Sequence, residues 1–249
     1  MSQPASALAA TLAQTAMELR LTARRGENVL VTVIVPAVVL VFFASVGGLP
    51  TPAGPPVDFL LPGSLALAII ATGLVSLGIA TAYERYYGVL KRLGGSPLTR
   101  ANLVAAKVGT VLVVEVIQLA LLLAIAWLGL GWRPAMGASP MLLVTDVGLG
   151  TLTFAGLGLL LAGTLRAEAT LALANALFIV VLLTGGILVP IDHLPGPIAA
   201  IAGLLPAAAL ADAFRAALGS GAEVVRPLVV LIAWGAASVV LAARTFRWE

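Results

Sequence analysis

The sequence predicts an all-α integral membrane protein with six transmembrane helices. An N-terminal amphipathic interfacial helix precedes them, and short re-entrant outer helices lie between spans five and six. Three observations carry this expectation. The 249 residues are 61% hydrophobic and only 10% charged, whereas a globular domain carries about 25% charge. The apolar residues fall into charge-free runs close to the roughly 20 needed to cross a bilayer. Lys and Arg gather between alternate runs, as the positive-inside rule requires.

The elements follow in order within a single membrane domain, residues 1–249. Over residues 5–25, Leu8, Leu12, Ala16 and Leu19 recur at helical spacing while Gln14, Glu18 and Arg25 occupy other faces. Such a helix lies in the interface plane, its basic end toward lipid headgroups. Span one covers 29–47. The outer loop Leu49–Asp58 holds four prolines and no base. Span two covers 59–83, and the charged segment 83–100 leads to span three at 108–132, which carries Glu115.

An outer loop with Arg133-Pro134 connects to span four, 141–165. Glycines 148, 150, 156, 158 and 163 let its backbone approach neighbouring helices. The turn Arg166-Ala167-Glu168 leads to span five, 169–191. The outer segment 192–225 is uncharged from Leu194 to Ala211, yet it opens Leu194-Pro195-Gly196-Pro197 and carries Pro206. Proline removes a backbone donor and clashes with the preceding turn, which argues for two short helices that dip in and return. Span six covers 227–243.

Charge sets the orientation. With the N-terminus inside, Arg20, Arg24, Arg25, Arg85, Lys91, Arg92, Arg100, Lys107, Arg166, Arg244 and Arg247 are cytoplasmic, and Arg133, Arg215 and Arg226 are outside. Both termini are then cytoplasmic and the chain sits in the cytoplasmic (inner) membrane. The net charge of +3 reflects this orientation, not nucleic-acid binding. The absence of cysteine removes disulfides and thiolate metal sites. The first apolar run begins only after Arg24-Arg25 and is longer than the roughly 7–15 residues of a signal-peptide core, so a cleaved signal is not expected.

Enzyme chemistry has little to stand on. His193 is the sole histidine and sits beside Asp192, with no marked serine partner and no spacing of metal ligands. No G-x-x-x-x-G-K-[ST] phosphate loop is present, so neither a catalytic site nor a bound cofactor is expected in this chain. Glu115 leaves two readings open. A carboxylate in a span can serve proton or cation transport, making the chain a cation-coupled secondary transporter. Lying about 12 Å from Lys107 along a helix, it can instead pair with a base of the inner loop or the N-terminal helix, which is the favoured reading. Asp146 near the outer end of span four has Arg133 as its natural partner.

The segment Tyr83–Lys107 concentrates five of the fourteen Lys and Arg residues. It reads Glu84-Arg85-x-x-Gly88-x-Leu90-Lys91-Arg92-Leu93-x-x-Ser96-Pro97-Leu98, a short amphipathic helix closed by a Gly-rich turn. Topology explains the bases but not the ordered acid, tyrosines, basic-apolar helix and turn. This run resembles the segment after the second span of ABC-2 type transporter permeases, E-R-E-x-G-T-L-x-x-L-x-x-[ST]-P-[LI], with Tyr86-Tyr87 departing from that pattern. Leu188-Val189-Pro190, Leu194-Pro195, Leu205-Pro206 and Ala213-Phe214-Arg215-x-x-Leu218 are similar to the family's outer segment.

The resemblance implies a permease subunit of an ABC exporter of the multidrug or lipid type. It would have no ATPase site of its own, working with a separate ATP-binding subunit that holds ATP and Mg. A second permease, identical or homologous, would complete the pathway. Tyr83, Glu84, Arg85, Gly88, Leu90, Lys91, Arg92, Leu93, Ser96, Pro97 and Leu98 would form the ATPase-coupling element, with Arg166 and Glu168 a smaller contact. Spans one, two and five would line the pathway, making Phe42, Phe43, Asn175 and Phe178 candidate substrate contacts. An apolar lining would suit an amphipathic, drug-like or lipid-like cargo. Pro190, Pro195, Pro206 and Arg215 would belong to the outer cap.

Overall fold

Spanning helices must satisfy their own backbone, since lipid offers no hydrogen bonds. In the computed structural model, which describes residues 7–24, 30–52, 54–94 and 99–246, all regular elements are accordingly helical. Helix α1 is Ala7–Arg24. Helix α2, Val35–Val46, continues from a π-helical turn at Leu30–Ile34. Helix α3 runs from Pro56 to Tyr86, with a π-helical segment Ala71–Ser76 inside it. The short α4 is Val89–Gly94. Helix α5, Arg100–Ala124, ends in a π-helical turn Ile125–Gly129. Helices α6 (Pro140–Thr164) and α7 (Ala167–Thr184) follow. A 3-10 turn at Ile191–His193 precedes α8 (Gly196–Ala202), α9 (Pro206–Ala217) and α10 (Val225–Thr245).

Helix α3 is the axis of the bundle. Leu60 to Ile70 are all nearly inaccessible, and α2, α5, α6, α7 and α9 pack around it. In lipid such packing depends on close approach more than on the hydrophobic effect. A Cβ on Gly158 of α6 would strike the carbonyls of Gly73 and Leu74, and one on Gly78 would lie 3.1 Å from the Gly158 carbonyl. Gly156 similarly admits Ser238 of α10. Gly148 differs from the other α6 glycines, having nothing within 4 Å.

Among the described residues, five helices are long and apolar enough to cross a membrane, or six if the bent pair α8–α9 counts as one. The first expected span is the shortfall. Its apolar helix is Thr32–Val46, about 22 Å against a hydrocarbon layer of about 30 Å. Position 29 lies outside the described residues.

Other boundaries shift for local reasons. Helix α3 starts at Pro56, where proline's missing N–H costs nothing, so the end of the expected outer loop is helical. Helix α5 begins eight residues before the expected 108, because the Thr99 hydroxyl caps it by accepting from the Asn102 N–H at 3.2 Å. Helix α7 stops at Thr184 rather than 191: Gly185 and Gly186 follow, and Gly186 adopts φ +67°. The outer prolines open helices, Pro206 at the first position of α9 and Pro195 just before α8. The two helices bend by 74°.

Candidate functional site

Glu84 and Arg85 are adjacent near the end of α3, so their side chains leave the helix about 100° apart and meet different neighbours. Arg85 donates one N–H to the Gly163 carbonyl at 2.7 Å and a second to the Leu165 carbonyl. These carbonyls are at the end of α6, where backbone acceptors have no intrahelical donor, and a cation complements the helix dipole. Arg85 thereby ties the end of α3 to the turn that carries Arg166 and Glu168, both exposed.

Glu84 turns the other way. Its Oε2 lies 2.5 Å from Lys107 Nζ, which also donates to Glu18 Oε1 at 3.2 Å. The lysine side chain is 4% exposed and each carboxylate 13%, so α1, α3 and α5 are joined by a largely desolvated ion triad. Helix α1 supports it with its polar face: Gln14 donates to Glu18, and the Thr15 hydroxyl to the Ala106 carbonyl. Leu8, Leu12 and Met17 point away from the protein. The polar face therefore grips α5, and Leu8, Leu12 and Met17 are left exposed on the other side.

Beyond this anchor the chain projects. Tyr83 packs against Ala82, Ala162 and Ala167 and stacks on Tyr87 at 6.1 Å. Tyr86 and Tyr87 are both well exposed. Gly88 takes φ +69°, a conformation costly for any residue with a Cβ, and this turns the chain into α4. In α4, Leu90 is 1% exposed while Lys91 and Arg92 face outward and Leu93 is half-buried. The result is a short helix seated on one leucine, displaying two tyrosines and two cations. Ser96, Pro97 and Leu98 lie outside the described residues. Of the expected coupling residues, then, Glu84 and Arg85 are internal braces, while Lys91 and Arg92 face outward beside Tyr86 and Tyr87, which were not among those expected.

The intramembrane carboxylates do not meet the partners expected of them. Glu115 is fully buried and sits 2.5 Å from the Thr151 hydroxyl of α6, not beside a base. Its eight-residue offset from Lys107 rotates it about 80° around α5, away from α1 and toward α6. Asp146 is 1% exposed, but Arg133 is not its partner. Arg133 donates to the Trp127 and Trp132 carbonyls and lies 5.6 Å from the Trp127 ring centre. Another buried contact was not foreseen: Gln118 donates to the Thr32 carbonyl at 2.9 Å and accepts from Thr72 at 2.9 Å, crosslinking the π-helical segments of α2 and α3 through α5.

The pathway candidates sit on two helices that each pack against α3. Phe42 is exposed and meets Phe43 edge-on at 5.1 Å, while Phe43 packs toward the core. Asn175 is exposed, its amide donating to the Leu171 carbonyl, and Phe178 is half-buried. At the opposite end, Arg215 lies over the Phe59 ring at 4.2 Å, bonds Asp212 at 2.6 Å and donates to the Gly186 carbonyl. It fastens α9 to α3 and to the end of α7. His193 is exposed and touches only its neighbour Asp192 among the contacts described. No group of three His, Cys, Asp or Glu that could hold a metal occurs among the described residues.

The family model of the ABC-2 type transporter matches residues 10–218. No curated protein matches the chain at a significant level. The matched region runs from α1 through α9, taking in the anchored end of α3, the exposed α4 and the outer bent pair. The chain therefore belongs to the ABC-2 type transporter family, as a multi-pass membrane transport subunit.

Proposed function

We propose that this chain is the permease subunit of an ATP-driven exporter, and that α4 with the end of α3 is the handle on which a separate ATP-binding subunit acts. The observation that carries this reading is the pair of Arg85 bonds to Gly163 and Leu165. They make the exposed tyrosine-cation surface and the Arg166–Glu168 turn one mechanical unit, so a push on α4 reaches α3, the axis of the bundle. The Lys107 triad extends that unit to α1 and α5. A stiff, braced element of this kind converts closure of an ATPase dimer into movement of spans. ATP and Mg belong to that partner subunit.

In this reading the end with α4 is cytoplasmic, both termini are inside, and α2 serves as a short first span. Helices α8 and α9 form a re-entrant outer cap, held by Arg215 and opened by Pro190, Pro195 and Pro206. A second permease copy, identical or homologous, pairs with the exposed apolar faces of α2 and α7, where Phe42, Phe43, Asn175 and Phe178 flank the pathway. An amphipathic, drug-like or lipid-like cargo suits these groups. Buried Glu115 is occupied by Thr151 and plays a structural part. Affinity purification of the full chain tests the reading: a subunit carrying a Walker-type phosphate loop should co-purify in stoichiometric amount. Its absence from a membrane-extracted, monodisperse preparation would overturn the proposal.

A further inference from the structure

Thr32 and Thr72, which Gln118 joins, also line a cavity of about 60 Å³ between α1, the π-helical turn before α2, α3 and α5. Thr22, Ser76 and Thr110 add further hydroxyls to its wall, and Glu18 and Lys107 of the ion triad complete its polar side. The hydroxyl of Thr110 spends its single proton on the Ala106 carbonyl, and that of Thr72 on Gln118 or the Ala68 carbonyl. Both therefore offer only lone pairs to an occupant. Lys107 has three N–H donors and gives one each to Glu84 and Glu18, which leaves one for the cavity it lines.

We propose that this cavity is an internal water site, in which about two ordered waters, at roughly 30 Å³ each, bridge Lys107 to the surrounding hydroxyls. A buried space takes water where it is polar and offers each molecule about two to four partners. Here a donor from α5 faces acceptors from α3 and α5 across a space of the right size. Occupants of other classes fit poorly. A metal cation would meet the Lys107 ammonium, an anion would meet the Glu18 carboxylate, and an apolar group would strand the third Lys107 donor. In bilayer helices, Ser and Thr hydroxyls and ordered water accompany departures from α geometry. Thr32, Thr72 and Ser76 all lie in π-helical segments. The site does not rest on the exporter reading, since every group in it belongs to this chain.

Water-edited solid-state NMR of the full chain in phosphatidylcholine liposomes tests this. Lys91 and Lys107 are the only lysines, so an isotopic label on the lysine Nζ gives two signals. Exposed Lys91 reports bulk water. Lys107, with its side chain 4% exposed, should gain magnetisation from water at a rate within about fivefold of Lys91, because a water lies within hydrogen-bond reach. Ala80→Leu pushes a larger side chain into the cavity from α3. It should slow that transfer about fivefold or more by moving the nearest water out of reach. Ser76→Val fills the same space should Ala80→Leu fail to fold. Slower build-up than this at Lys107 in the wild type, or unchanged transfer in the filled variants, would overturn the proposal.

Discussion

Arg85 on α3 donates a 2.7 Å hydrogen bond to the carbonyl of Gly163 on α6, 78 residues away. With its second bond to Leu165, it binds the last turns of two spans into one rigid end. A guanidinium is suited to this because its planar fork reaches two acceptors at once.

Replacing that fork has a graded outcome. Arg85→Ala should cost about 2 kcal/mol, the worth of a charged hydrogen bond, and Arg85→Lys somewhat less. Thermal unfolding of the purified chain should rank wild type above Lys above Ala. Equal stability of all three would show that the two carbonyls are satisfied without Arg85.

The Lys107 triad predicts non-additive behaviour. Lys107→Met alone leaves two desolvated carboxylates without their cation and should cost about 3–5 kcal/mol. Lys107→Met combined with Glu18→Gln and Glu84→Gln removes the charges together and should recover most of the loss. Detergent-solubilised melting curves of the single and triple variants measure the coupling.

Two glycines on α6 should behave oppositely. Gly158→Ala drives a methyl into the backbone of α3 and should cost about 1–3 kcal/mol. Gly148→Ala meets nothing within 4 Å and should be neutral or slightly stabilising through its better helix propensity. Parallel melting and yield measurements check the pair.

The outer anchor predicts a local effect. Arg215→Lys gives up the fork shared between Asp212 and Gly186 and weakens the contact over Phe59. Amide exchange should quicken in α9 and at Gly185–Gly186 while α1 and α5 are unchanged. Uniform acceleration would argue against a local clamp.

Much of the layout was legible because hydropathy in lipid is a strong signal. Span four was expected at 141–165 and α6 is Pro140–Thr164, since Ser139-Pro140 and Arg166 bracket a largely apolar run whose one charged residue is Asp146. Hydropathy does not stop where helices stop, however: Ile187, Leu188 and Val189 extend the apolar run past Gly185–Gly186, so the expected span five overshot. Side-chain partners were the least legible. Glu84 and Arg85 look like a docking motif in one dimension, yet consecutive helix positions diverge, and both are spent inside the bundle. Lys107 and Glu115 are close along α5 but on different faces. The spacing of Leu8 and Leu12 marks one apolar side of α1, but only the packing against α5 shows that its polar face is the buried one.

Charge reversal on α4 gives the most direct measurement. Lys91→Glu with Arg92→Glu alters only exposed side chains, so the permease should fold and assemble with its ATP-binding partner. In vesicles holding the complex, cargo movement per ATP hydrolysed should fall about tenfold or more while hydrolysis continues, equivalent to about 1.4 kcal/mol of lost coupling. Unchanged cargo movement per ATP in an assembled complex would show that the handle lies elsewhere.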